Sequence, residues 1–166
     1  MDKNTLTQIN KDQLCLQKAS KTHIAELQLW FTSKQAVLTW AGPKLSFPAA
    51  EHEFFEQLTG GEYASFSLMM NKQLVGFGQY QIHPPFMHLG RLAINPHCRG
   101  LGLASILLNN LLDSGSMLSG VCRASLFVYA DNNIAYQTYV KRGFKKTLLP
   151  SGVNKMEGCD FLTLRV

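Results

Sequence analysis

The chain predicts a mixed α/β fold built on one sheet, with helices packed against it. Three observations carry that prediction. Runs with apolar side chains at every second residue alternate with segments whose apolar residues recur three or four apart. These are the spacings of half-buried strands and of amphipathic helices. The 166 residues suffice for one well-filled core and are too few for two ordinary domains, so a single domain over residues 1–166 is expected. Hydrophobic residues make up 46% and charged residues 16%, a balance opposite to that of a disordered chain.

The elements follow in order. Residues 13–18 alternate polar and apolar around Leu14 and Leu16 and predict a short first strand. From Ser20 to Phe31, Ile24, Leu27 and Trp30 or Phe31 share one helical face. Ser33 is placed to cap a second helix carrying Ala36, Val37 and Trp40, which Gly42-Pro43 stops. Ala49–Leu58 predicts a third helix, ended by Gly60-Gly61. Ala64–Met70 and Gln73–Ile82 are strand-like and joined by Asn71-Lys72, a hairpin signal, with Gly76 and Gly78 as points of bending or close approach. Pro84-Pro85 breaks the chain before a strand over Met87–Ile94. A helix from near Gly102 to Ser114 is expected to stop at Gly115. Then come a strand at Ala124–Tyr129, a helix at Asn132–Lys141 ended by Gly143, and strands at Phe144–Leu149 and Asp160–Val166. That last strand could close the sheet internally or pair with a second chain.

Composition excludes several classes. No apolar run reaches the roughly 18 residues that a membrane helix requires, so no membrane partner is expected. The first residues lack the apolar core of a secretory leader. Cys15, Cys98, Cys122 and Cys159 form no Cys-x-x-Cys pair, and His97-Cys98 is too close in sequence to preform a metal cage. A reduced, cytoplasmic setting without a metal is the expectation. The net charge is +5, and all of the excess lies in residues 91–166, which hold nine bases and four acids. A localised positive excess suggests an anionic partner, either nucleic acid or a phosphorylated small molecule. Aromatic residues are not interleaved with the bases as in a stacking platform, so nucleic acid is not the expected partner.

The chemistry concentrates after the strand that ends at Ile94. Asn95-Pro96-His97-Cys98 leads into Arg99, Gly100, Leu101, Gly102, Leu103, Ala104 and Ser105, which open an apolar helix. Glycines there let a ligand approach the backbone, and the unpaired first-turn N–H groups and helix dipole favour a phosphate. The run is neither a Walker loop nor a GxGxxG fingerprint. Its spacing, Arg99-x-x-Gly102-x-Ala104, resembles the coenzyme A pyrophosphate loop of the GNAT superfamily of N-acetyltransferases. A second stretch resembles that superfamily's other signature, with Asn132 followed at +3 by Ala135, at +7 by Tyr139 and at +11 by Gly143-Phe144. The resemblance covers roughly residues 64–166.

The resemblance implies a mostly antiparallel sheet whose central strands splay apart to admit acetyl-CoA. It implies that Leu92, Ala93 and Ile94 offer backbone groups to the pantetheine arm. Arg99 through Ser105 would hold the pyrophosphate, Asn132 or Asn133 would contact the coenzyme arm, and Tyr139 would give a proton to the leaving thiolate. No metal and no covalent enzyme intermediate are implied. An acceptor amine must be neutral to attack, whereas a free lysine is neutral only about once in a few thousand molecules at pH 7. A base is therefore needed. Family members often carry a Glu on the strand before the loop; MHLGRLAI has none, and His88 takes a comparable position with a pKa in the useful range. The function so implied is acetyl transfer to an amine, on a protein or a small molecule, by a monomer or homodimer. The competing class is a coenzyme A-binding sensor without catalysis.

Overall fold

The computed structural model describes residues 13–118 and 120–166. The element order is β1 (Leu14–Lys18), α1 (Lys21–Gln28), α2 (Lys34–Ala41), α3 (Glu51–Thr59), β2 (Ala64–Met70), β3 (Gln73–His83) and β4 (Phe86–Ile94). It continues with α4 (Leu103–Ser116), β5 (Arg123–Tyr129), α5 (Asn133–Arg142), β6 (Lys145–Lys146) and β7 (Cys159–Arg165). The strands form one sheet in the order β1-β2-β3-β4-β5-β7-β6, antiparallel throughout except for the β4–β5 pair. Among the described residues, no helix is long and apolar enough to cross a membrane.

Local chemistry explains the elements. Ser20 and Ser33 each accept a backbone N–H three residues on, capping α1 and α2; the cap at Ser33 is the one the sequence predicts. Asn71 and Lys72 both adopt positive φ, the geometry of a tight hairpin turn. Pro84-Pro85 breaks the strand pattern as read in the sequence and forms the turn between the paired strands β3 and β4.

Two layers cover the sheet. On one face α4 buries Leu103, Leu107, Leu108, Leu111 and Leu112 against β3, β4 and β5. Each such side chain contributes about 1.5–3 kcal/mol on burial. α5 shares this face, and its Arg142 donates from Nε to Asn109 of α4. On the other face Ile24, Leu27, Val37, Phe54 and Leu58 of α1–α3 pack on Met69, Leu74 and Phe77.

Glycine sets how closely α4 docks. A Cβ at Gly78 would lie 2.6 Å from Cδ1 of Leu111, so Gly78 is a close-approach point. Gly115 does not stop α4, which runs on to Ser116. It is buried inside the helix, where a Cβ would overlap the sulfur of Met87 on β4. Its small size, not its conformational freedom, explains its presence.

The predicted strand at Phe144–Leu149 shrinks to β6. Phe144 is spent closing α5, Lys145 and Lys146 pair with β7, Thr147 adds one N–H bond to the Phe161 carbonyl, and the chain then leaves the sheet, with Leu148 95% exposed. The last strand lies inside the sheet, between β5 and β6, which decides for internal closure.

Candidate active site

The central pair parts as the chemistry requires. β4 and β5 run parallel in register from Phe86–Arg123 to Leu89–Leu126, and the pairing ends there. Beyond Leu89, β4 stays bonded to β3 alone, which leaves the edge of Gly90–Ile94 that faces β5 unpaired among the described residues. A bulge coincides with the split: Gly90 and Ala93 pair with Gln79 and Phe77, so Arg91 and Leu92 oppose the single residue Gly78. Arg91 takes φ +53°, a left-handed conformation that is rare for a long side chain.

The loop after β4 is anchored before it opens. Asn95 donates from its side chain to the Leu74 carbonyl of β3, accepts the N–H of His97, and its carbonyl accepts the N–H of Cys98. Cys98 is buried beneath the loop, and burial pushes its thiol pKa up. Arg99 stays exposed. Gly100 and Gly102 have φ +81° and +74°, with nothing among the described residues within 4 Å of where a Cβ would lie. The N–H groups of Gly100, Leu101, Gly102, Leu103 and Ala104 have no acceptor among the described residues. Alternating left-handed residues with converging free donors at a helix start form an anion-binding concavity. The exposed glycines leave the approach to these donors open.

The second signature is a helix with both ends sealed. Asn132 caps α5 by accepting the N–H of Ala135 at 3.3 Å, which explains the +3 spacing. Gly143, at φ +105°, turns the chain out of the helix, and Phe144 donates its N–H to the Tyr139 carbonyl at 3.1 Å. The buried Phe144 ring lies edge-on to Tyr139, 6.0 Å between centroids. Asn133 is exposed beside the cap. What capping leaves unexplained is the Tyr139 hydroxyl, which makes no hydrogen bond among the described residues. Burial pushes its pKa up to about 12, so the phenol is a proton donor at neutral pH.

His88 lies on the opposite face of the sheet. It alternates with Met87 and Leu89, which face α4, and its Nδ1 lies 3.0 Å from Ser125 Oγ, with the ring edge-on to Phe127. Burial, assisted by His83, lowers its pKa from 6.5 to about 4, so the ring is neutral at pH 7. The residues expected at the site thus divide between two faces. Arg99–Ser105, Asn132 and Tyr139 accompany α4 and α5, while His88 faces the other way.

That other face holds groups the sequence reading missed. Gln79 is fully buried on β3 and donates to the Leu58 carbonyl and Ser65 Oγ. Its Oε1 accepts from Arg91 Nη1 at 2.8 Å, and Nη1 also reaches the Leu58 carbonyl at 3.4 Å. The guanidinium lies 5.3 Å from the Tyr63 ring centroid. Burial raises the Tyr63 pKa and lowers that of Arg91; the pair partly offset these shifts for each other. The signal was present in the strand sequence. Apolar residues fall at 87 and 89, then at 92 and 94, and the slip of one residue marks a bulge at Gly90-Arg91.

A central pair that parts after Leu89, with free backbone donors where β4 leads into α4, defines a mixed α/β fold whose sheet opens at its centre. The family model described as the acetyltransferase (GNAT) family matches residues 27–144, and the chain belongs to that family. Solved structures agree in fold. A spermidine N-acetyltransferase from Vibrio cholerae, in complex with CoA and spermine, is 18% identical, covers 93% of this chain and 96% of its own, and has a TM-score of 0.71. The ribosomal-protein-S18-alanine N-acetyltransferase from Escherichia coli is 22% identical over 92% of this chain and 93% of its own, at TM-score 0.63. A PaiA N-acetyltransferase from Thermoplasma acidophilum, in complex with coenzyme A, is 16% identical over 92% and 99%, at TM-score 0.67.

Proposed function

We propose that the chain transfers the acetyl group of acetyl-CoA directly to an amine, without a covalent enzyme intermediate. The observation that carries this reading is the open cradle of Gly100 and Gly102 at the end of a strand whose outer edge is unpaired from Gly90 onward. When bound, acetyl-CoA supplies an activated acetyl group as a thioester. The donors of residues 100–104, with Arg99 beside them, would hold its pyrophosphate. The free edge of β4 at Leu92, Ala93 and Ile94 would pair with the amides of its arm, replacing the strand bonds that β5 does not make. Asn132 spends its side-chain oxygen on capping α5 but retains its amide donors for the coenzyme, and Asn133 is exposed nearby.

On this reading Tyr139 offers its hydroxyl proton to the sulfur as the carbon–sulfur bond breaks. Its raised pKa keeps the hydroxyl protonated, so it can give the developing thiolate a hydrogen bond; a thiolate whose thiol titrates at about 8.5 is a weaker base than the phenolate, and the proton stays mainly on oxygen. His88 acts from the acceptor side. An imidazole that binds a proton only near pH 4 is too weak to strip an alkylammonium ion. It is suited to accept a hydrogen bond from an amine that arrives neutral, with the proton leaving through water. The four free cysteines support a reducing, cytoplasmic setting. With β7 enclosed, the working unit proposed is a monomer, or a homodimer that does not pair through that strand.

The test is a screen of amines with acetyl-CoA, following thiol release and identifying products by mass. A product heavier by one acetyl group supports transfer. Tight coenzyme binding with no thiol release from any amine would instead favour a non-catalytic coenzyme A sensor.

A further inference from the structure

We propose that Arg91 selects the acceptor, and that the amine substrate carries a carboxylate which docks on the guanidinium edge formed by Nε and Nη2. The inference rests on the amine-transfer reading above and names the chemical class of its substrate.

Position comes first. Arg91 sits in the bulge, two residues past the last β4–β5 pair, so it stands where the gap opens. Its side chain reaches Leu58, Gln79 and Tyr63, on the face away from α4 and the anion cradle. A molecule entering the gap from the side opposite the coenzyme meets this guanidinium.

The donor inventory comes second. A guanidinium has five N–H donors. Nη1 is spent on Gln79 Oε1 and the Leu58 carbonyl, which hold the group in one orientation over the Tyr63 ring. Nε and Nη2 make no hydrogen bond among the described residues. Those two atoms form the planar fork that matches a carboxylate through two parallel bonds. A backbone forced to φ +53° and a buried glutamine committed to Nη1 form an unusually exacting support for a side chain with no further task.

Charge comes third. No carboxylate lies within 4.0 Å of Arg91 among the described residues, whose ion pairs are His83–Glu62 and Lys146–Asp160. The strand positions around it on this face include Gln79, Gln81, His83, His88 and Ser125, none of them acidic, and the nearby Glu62 carboxylate is paired with His83 at 3.6 Å. A half-buried cation without a counter-ion favours an anion and disfavours a second cation. An amine that also bears a carboxylate meets this condition, and a polyamine, all of whose charges are positive, does not.

The experiment compares matched acceptors with acetyl-CoA as donor. L-Phenylalanine, L-methionine and L-lysine are each set against the corresponding α-carboxamide, with spermidine as the all-cationic control, and kcat/KM is taken from thiol release, with the product checked by mass and each value referred to the neutral-amine fraction, because a carboxamide lowers the pKa of the neighbouring amine. For at least one pair the acid should exceed its amide by about tenfold, the worth of a charge-assisted hydrogen bond. Spermidine should be slower than that acid. In Arg91→Gln the acid-to-amide ratio should fall toward one while KM for acetyl-CoA moves by less than about twofold, and Arg91→Lys should retain part of the preference. Equal rates for acid and amide in the unaltered protein, spermidine as the fastest acceptor, or an unchanged ratio in Arg91→Gln would each overturn the proposal. If Arg91→Gln does not fold, the acid–amide comparison in the unaltered protein decides by itself. Thiol release without discrimination removes only the carboxylate inference, whereas no release from any amine removes the transfer reading along with it.

Discussion

The two faces of the sheet solve different problems with different materials. The face under α4 and α5 is leucine-rich, its anion cradle is built from backbone, and one tyrosine hydroxyl is left over. The face toward α3 is polar where the strands part, with Gln79, Arg91, His88 and Ser125 bonded in pairs. On the proposed reading the coenzyme is held by main-chain donors, which impose little on sequence. An acceptor varies, and it has to be recognised by side chains. The first face should therefore fail through chemistry and packing, and the second through selectivity and pH.

The largest expected effect is at Tyr139. Tyr139→Phe keeps the ring beside Phe144 and removes only the unpartnered hydroxyl. Loss of such a donor lowers kcat by about 10²–10⁴-fold, with the acetyl-CoA dissociation constant nearly unchanged. Steady-state kinetics combined with calorimetric binding separates the two; an unchanged kcat would remove Tyr139 from the chemistry. Next is Gly115→Ala, which drives a methyl into the Met87 side chain at the α4–β4 contact. Overpacking of this kind costs about 1–3 kcal/mol and is read by urea denaturation. Pairing it with Met87→Ala should destabilise less than the two single losses added together. Full additivity would mean that α4 does not dock through this contact.

Much of the first face was legible in the sequence through its resemblance to the GNAT signatures, whose devices are local. The Asn132 to Ala135 spacing is that of a cap, and the Tyr139 to Gly143-Phe144 spacing is that of a helix end. Arg99 to Ala104 reads as a strand feeding a glycine-bearing helix start. The second face was not legible because its contacts join residues far apart in sequence. Arg91 meets Leu58 and Gln79, and His88 meets Ser125 on a neighbouring strand. No spacing records such a meeting; only the slipped alternation at Gly90-Arg91 pointed toward it. Gly115 misled for a related reason. A glycine near a helix end looks like a stop unless the strand residue that fills its missing side chain is known.

The cradle offers a smaller and cleaner test of the backbone-built face. Gly102→Ala places a Cβ at φ +74°, where nothing among the described residues would collide with it. A left-handed L-residue costs about 1–2 kcal/mol, so relaxation of the loop should raise KM for acetyl-CoA about tenfold and leave kcat near its original value. If KM does not move, the main-chain donors at residues 100–104 do not hold the coenzyme.

The smallest effect belongs to His88 and is a matter of pH. In the folded protein its pKa is about 4, against 6.5 for an unperturbed histidine. The unfolded chain therefore binds more protons than the folded one between those values, and the stability His88 contributes is fully present above pH 6.5 and is lost as the pH falls toward 4. Allowing for its partial exposure, about 1 kcal/mol should be gone by pH 5. His88→Asn keeps a polar partner for Ser125 but cannot take up a proton. Between pH 7 and pH 5 it should lose about 1 kcal/mol less than the unaltered protein in urea unfolding. The same drop in both would mean that His88 is solvated and charges freely, and the α3 face would then lose the neutral acceptor that distinguishes it from the coenzyme side.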